Sequence, residues 1–161
     1  MPVAPGTRLG PYEILAPPIG VGGMGEVYKA RDTRLDRNVA IKVLAAHLAD
    51  RSEARQRFER EAKAIAGLNH PHICVLHDIG SESGTDFLTM ELVEGPSLDE
   101  RIAAGPMSPA EAVRFALEIA GALQAAHDKG VVHRDIKPEN FFVTNDDVLK
   151  VMDFGIAKRT A

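Results

Sequence analysis

The stretch His133-Arg134-Asp135-Ile136-Lys137-Pro138-Glu139-Asn140, followed beyond a predicted hairpin at residues 145–147 by Asp153-Phe154-Gly155, holds the residue types with the most demanding chemistry. Moving a γ-phosphoryl group requires a carboxylate to orient the attacking hydroxyl and accept its proton, cations to spread the developing charge, and oxygen ligands to hold a metal. Asp135, Lys137, Asn140 and Asp153 are of those types. Magnesium keeps several waters and takes few protein oxygens, so one carboxylate and one side-chain amide are a suitable set. The plain alternative is a polar loop with a chance aspartate.

Two further constellations precede this one in the chain. Residues 19–27, Ile-Gly-Val-Gly-Gly-Met-Gly-Glu-Val, contain a G-x-G-x-x-G pattern that dinucleotide-binding folds also use. A dinucleotide site needs a helix opening at the last glycine, whereas Glu26-Val27-Tyr28-Lys29-Ala30 alternates like a strand. The segment therefore reads as a flap between two strands, whose backbone N–H groups could lie against phosphate oxygens, or as a plain glycine-rich hairpin. Lys42 ends the strand Val39-Ala40-Ile41-Lys42, and Glu61 follows on the next predicted helix. A carboxylate can aim an ammonium toward phosphates, although two charges on amphipathic elements are more commonly just solvated.

The elements that must position these groups are legible from periodicity. Residues 12–43 read as consecutive antiparallel strands broken by glycines and by the polar stretch 31–38. A helix follows Ser52, with Phe58, Ala62, Ile65 and Leu68 at helical spacing, and the apolar runs 73–78 and 87–93 read as strands around a Ser/Gly turn at 81–84. Then the character changes to helical. Ser97 with Glu100 and Ser108 with Glu111 are capping boxes, Pro109 suits the first helical position, and Gly105 and Gly130 read as stops. On the helix 109–129, Glu111, Arg114, Glu118 and Gly121 form one narrow polar stripe, while Val113, Phe115, Ala116, Leu117, Ile119, Ala120, Leu123 and Ala126 cover most of the rest. Such a helix expects neighbours on several sides.

Composition bounds the rest. The chain has 161 residues, 45% hydrophobic and 26% charged, within the ordinary globular range. A net charge of -4 gives no basic field for gripping nucleic acid or an anionic membrane. No apolar stretch approaches the roughly 20 residues that span a bilayer, and residues 1–11 lack the apolar core of a signal peptide. Cys74 is the sole cysteine and reads as a small buried hydrophobe, which suits a reducing cytoplasm.

With these motifs in order, the chain resembles the ATP-binding and catalytic-loop part of a protein kinase domain, of the bacterial eukaryotic-like Ser/Thr type suggested by GGMGEVYKARD. The resemblance covers about residue 10 to the C-terminus and implies an α+β, two-lobed fold. A tail (1–11) would precede an ATP-binding lobe of antiparallel sheet and one helix (12–93) and an incomplete, mainly helical lobe (94–161). It implies that Ile19, Gly20, Gly22, Gly23 and Gly25 cover the phosphates of ATP, that Val27 and Ala40 sandwich the adenine above Phe142, and that Lys42, paired to Glu61, touches the α- and β-phosphates. Met90 would guard the back pocket beside a hinge at Glu91 and Val93. Asp135 would be the base, Lys137 would neutralise the γ-phosphate, and Asn140 and Asp153 would hold Mg2+. Ile65, Leu76, His133 and Phe154 fall where kinases stack an apolar column.

The implied activity is ATP-dependent phosphorylation of Ser/Thr hydroxyls in a protein substrate, with no nucleic-acid partner. The location would be cytoplasmic, although a longer parent could carry an anchor downstream. Only residues 156–161 follow the Asp-Phe-Gly motif, so the expectation is a truncated catalytic domain whose activity needs a longer chain. A nucleotide-binding scaffold without phosphotransfer is the competing reading, and a small-molecule phosphotransferase, disfavoured by Lys137 and the complete flap, is a third. Pro17-Pro18 interrupts the first predicted strand and predicts a bulge or an edge position there. Phe141-Phe142 stands where relatives usually carry smaller aliphatics.

Overall fold

The computed structural model describes residues 3–22, 25–44 and 52–154, which form two compact units. The first comprises the chain up to Lys63 together with Leu76–Leu92, and the second comprises Ala64–Val75 and the chain from Val93 onward. Gly23 and Gly155 lie outside the described residues.

The first unit is an antiparallel sheet. Its strands are β1 (Arg8–Leu9), β2 (Tyr12–Ile14), β3 (Gly20–Gly22), β4 (Gly25–Asp32), β5 (Arg37–Leu44), β6 (Leu76–Glu82) and β7 (Thr85–Met90). They run in the order β1-β2-β4-β5-β7-β6, with β3 attached to β4 off that path. The alternation seen in the sequence divides the two faces. Tyr28, Ala30, Val39, Ile41 and Phe87 join Leu9, Tyr12 and Ile14 in one buried cluster, where each large side chain contributes about 1.5–3 kcal/mol by leaving water.

Residues 8 and 9, read from sequence as part of a tail, form strand β1 of this sheet, and the chain before them is tied to it. Leu9 pairs with Tyr12 and is buried, and the Val3 N–H donates to the Tyr28 hydroxyl at 2.7 Å. The polar stretch after β4 is a turn organised by Asp32, whose carboxylate accepts the N–H groups of Arg34 (3.0 Å) and Leu35 (3.2 Å). Between β6 and β7, Ser83 and Gly84 both take positive φ (50° and 80°), the combination that a tight hairpin requires.

Helix α1 (Ser52–Ala66) opens at the residue read as its cap and buries Phe58, Ala62 and Ile65, as the spacing predicts. The strand expected at 73–78 starts three residues late. Ile73 forms a parallel bridge to Val151, and the Cys74 N–H donates to the Val151 carbonyl at 3.0 Å, so this backbone is already committed elsewhere. The strand expected at 87–93 likewise ends at Met90.

In the second unit, α2 (Leu98–Ala104) and α3 (Pro109–Asp128) begin where their serine caps predict. The Ser97 hydroxyl accepts from the Glu100 N–H at 3.1 Å, and Ser108 from Glu111 at 3.2 Å. A short hairpin of β8 (Phe141–Val143) and β9 (Leu149–Val151) completes the unit. Gly95 is obligatory beside it, because a Cβ there would lie 2.0 Å from the Val143 carbonyl oxygen.

The polar stripe of helix α3 is engaged by other elements of its unit. Arg114 grips Asp147 at the hairpin turn with two hydrogen bonds (2.7 and 2.9 Å), and Glu111 pairs with Arg101 of α2. Both arginines lie against the Phe115 ring, Arg114 at 4.9 Å and Arg101 at 5.2 Å from its centre. A Cβ on Gly121 would meet the His70 ring at 3.8 Å. The stripe therefore faces protein, while Val113 and Leu117 are 58% and 68% exposed. No helix among the described residues is long and apolar enough to cross a membrane.

Two outcomes follow for stability. Phe115 is 1% exposed, and Phe115→Ala should cost about 3–5 kcal/mol in denaturant unfolding. His70 accepts the His72 N–H on Nδ1 (3.1 Å), which requires the neutral ring. Its pKa is held below the ordinary 6.5, first by burial, then by the charges of His72 and Lys150. The folded state thus binds this proton less readily than the unfolded chain, so its contribution is whole above pH 6.5 and is lost as pH falls below that value. The unfolding midpoint should drop between about pH 7 and about pH 5, and His70→Asn should flatten that slope.

Candidate active site

The sheet register brings one group of predicted residues onto a common face. Val27 pairs with both Gly20 and Lys42, Lys42 pairs with Leu88, and Ala40 pairs with Met90. Directly paired residues, and residues two apart on a strand, point the same way. Val27, Ala40, Lys42, Leu88 and Met90 therefore share the face opposite the Tyr28–Ile41 cluster. Val27 and Lys42 are half-buried on it, Ala40 and Met90 buried. Glu61 is half-buried on α1. Glu91 and Val93 are half-buried in the irregular segment after β7.

The glycines of the flap have different reasons to be there. At Gly25, φ is +143° and a Cβ would stand 1.9 Å from the Val43 carbonyl oxygen, so the returning strand can press against β5 only with glycine. At Gly20 a Cβ would meet nothing within 4 Å. Packing of the first unit does not demand a glycine there. Ile19 precedes it, 58% exposed.

In the second unit, hydrogen bonds gather a second group. His133, 1% exposed, has Nδ1 against the Asp135 N–H (3.1 Å) and Nε2 against the Met152 carbonyl (2.7 Å). The first contact makes Nδ1 an acceptor, so Nε2 carries the proton and donates to Met152. In return the Met152 N–H donates to the Asn140 carbonyl at 2.8 Å. Two of these contacts tie the loop at 133–140 to the end of β9, and the third fixes the ring within the loop.

Within that tie, Asn140 is buried and its Nδ2 donates to both the main-chain oxygen (2.8 Å) and Oδ2 (3.2 Å) of Asp135. Lys137 Nζ stands 3.7 Å from the same Oδ2. A single turn of 3-10 helix at Pro138–Asn140, with proline at its start, sets the distance between Lys137 and Asn140. The Phe154 ring packs against His133 at 4.7 Å, and both are buried, as are Ile65 and Leu76. Phe141 and Val143 point into the unit with Leu149 and Val151, which leaves Phe142 half-buried on the hairpin's opposite face beside Lys150.

Backbone strain marks the same place. Arg134 and Asp153 adopt φ of 71° and 53°, a region that side chains other than glycine enter at a cost of about 1–3 kcal/mol. The sequence pointed to His133 only as part of an apolar column. Its second role, as a tautomer-specific clamp, had a signal in the histidine two residues before the aspartate.

Comparison with known proteins agrees with this geometry. The protein kinase domain model matches residues 14–161. The chain is 46% identical over 154 residues to the serine/threonine-protein kinase PknD of Mycobacterium tuberculosis, covering 95% of this chain and 23% of that protein. It is 44% identical over 156 residues to PknH of Mycobacterium bovis, covering 96% and 26%. The chain therefore spans about a quarter of the length of these curated relatives. Among solved structures, the PknI kinase domain of Mycobacterium tuberculosis superposes with a TM-score of 0.86 at 33% identity, covering 99% of this chain and 65% of that one. A crystal structure of Rad53 in complex with AMP-PNP gives a TM-score of 0.80 at 28% identity over 91% of this chain. This chain belongs to the protein kinase family.

Proposed function

We propose that the protein transfers the γ-phosphoryl group of ATP to serine or threonine hydroxyls of a protein substrate. The observation that carries the reading is the constellation built around Asp135, whose main chain and carboxylate are both held by Asn140 while Lys137 stands beside it. Asp135 is the base: Oδ2 or its partner oxygen takes the hydroxyl proton as that oxygen bonds to the γ-phosphorus and the bond to the β-phosphate oxygen breaks. Lys137 supplies positive charge where the transferring group becomes most anionic. Lysine at this position favours a Ser/Thr substrate over tyrosine in the kinases that this chain resembles.

For the nucleotide, the shared face of Val27, Ala40 and Met90 offers an apolar surface to the adenine, and Lys42 on that face offers an ammonium to the α- and β-phosphates, aimed by Glu61. By resemblance to the kinases, Phe142, Glu91 and Val93 are also assigned to recognition of the base. Gly20, Gly22, Gly23 and Gly25, with Ile19, cover the phosphates. The open space around the Gly20 α-carbon supports this, since a glycine that packing does not require leaves backbone bare for a ligand. The structural likeness to a kinase crystallised with an ATP analogue points the same way.

Asn140 and Asp153 fit magnesium. Asn140 Nδ2 is engaged by Asp135, so the atom left for a cation is the carbonyl oxygen Oδ1, and a carboxylate from Asp153 completes a sparse, hard-oxygen set. When bound, the ion would neutralise phosphate charge. A cytoplasmic site of action suits both ATP and the buried lone thiol of Cys74.

In the full-length protein, Asp135→Asn should lower the rate of phosphate transfer to a protein substrate by about 10²–10⁴-fold while the unfolding midpoint stays within a few degrees. Transfer at the unmutated rate would remove Asp135 from the chemistry. Transfer to a sugar or aminoglycoside, with none to protein, would replace the substrate class.

A further inference from the structure

The strand leading into the glycine flap is broken in a way that its partner is not. β2 and β3 both pair with β4, yet between the pairs Ile14–Ala30 and Gly20–Val27 the first chain segment advances six residues while β4 advances three. The last bond before the break runs from the Leu15 N–H to the Lys29 carbonyl (3.0 Å), and the first after it from the Ile19 N–H to the Val27 carbonyl (2.8 Å). The surplus residues form a bulge that contains Pro17, exposed, and Pro18, half-buried. This is the interruption that the two prolines predict, since neither has an N–H for the ladder.

Beyond the break, β3 is held by its pairing with β4 and by the two-residue link from Gly22 to Gly25. Among the described residues its sheet neighbour is β4 alone, and its sequence is Gly-Val-Gly. Register in a strand is normally specified by which side chains face the core, and glycine-rich strands specify it weakly. By contrast β4 is fixed along its whole length against β5, with Gly25 against the β5 backbone. On the near side Ile14 and Ala30 are buried and fixed. The chain between Leu15 and Ile19 is thus the tether at the open end of β3, holding Gly20 on β4 where the Gly22–Gly25 link holds the other end. Two consecutive prolines make that tether stiff: each fixes its own φ, and each removes the helical region from the residue before it.

We propose that the Pro17-Pro18 bulge is a positioning element for nucleotide binding, a register pin that holds the glycine strand β3 at one place on β4. The proposal rests on the ATP reading given above. A pinned strand presents its backbone to phosphates without paying to be ordered at the moment of binding, so its contribution lies in affinity for ATP and not in the phosphoryl step.

The test compares the full-length wild type with Pro17→Ala/Pro18→Ala in two measurements. Hydrogen exchange of the Ile19 amide, which needs no nucleotide, should accelerate roughly three- to tenfold as the tether loosens, while the Ile41 amide in β5 stays unchanged. KM for ATP should rise by a similar factor with kcat within about twofold. Unchanged exchange at Ile19 overturns the pin; faster exchange with an unchanged KM, or a loss confined to kcat, overturns its role in binding. If exchange at Ile41 also accelerates, the single variant Pro17→Ala, at the exposed proline, decides by the same criteria. Failure of the ATP reading itself would be separate and visible, as a wild type without affinity for ATP.

Discussion

The second unit depends on one neutral imidazole. His133 accepts from the Asp135 N–H and donates to the Met152 carbonyl, so the loop at 133–140 and the exit from β9 share a single buried ring. A protonated ring would lose the first bond, and a ring in the other tautomer would lose both. Because the loop and the strand exit are tied, Asp135, Asn140 and Asp153 are positioned by one piece of structure. The positive φ of Arg134 and Asp153 is consistent with this: strained backbone persists where its surroundings over-determine it, and here hydrogen bonds and the Phe154 ring tilted against His133 do so.

The first unit has a different organisation, a sheet with one apolar, buried face and an opposite face that carries the ammonium groups of Lys29 and Lys42. Alternation does most of the work. One face carries the buried cluster from Leu9 to Phe87, and the other carries Val27, Ala40, Lys42 and Met90 in paired rows. The Tyr12 hydroxyl donates to Asp78 at 2.8 Å and its ring meets Phe87 edge-on, so even the short first strands are bound into the sheet by side chains. The flap is the exception to this regularity, being glycine-rich and attached at one edge.

Much of this was legible in the residues. The order of glycine flap, Lys42, the 133–140 loop and Asp153 pointed to the chemistry, and Ser97 and Ser108 announced the two helices whose caps the structure shows. What could not be read came from tertiary pairing. Nothing local to residues 73–75 says that their backbone belongs to β9, and nothing in residues 3–9 says that Leu9 enters the sheet core. Which groups the stripe Glu111-Arg114-Glu118-Gly121 meets could not be read, because composition reports polarity and not partners. Arg101, Asp147 and His70, which make it an inner face, come from three other elements. The prolines at 17 and 18 predicted the bulge, but its three surplus residues follow only from the register on both sides.

The account centres on the proposed binding of magnesium-bound ATP, with Asp153 as a ligand of the ion. Calorimetric titration of ATP into the full-length protein, with magnesium and with it chelated, compared between wild type and Asp153→Asn, addresses that centre directly. The account predicts binding that magnesium strengthens in the wild type and a loss of that strengthening, by roughly tenfold or more, in the variant. Equal affinity with and without the ion in the wild type, or an identical magnesium response in the two proteins, would contradict it.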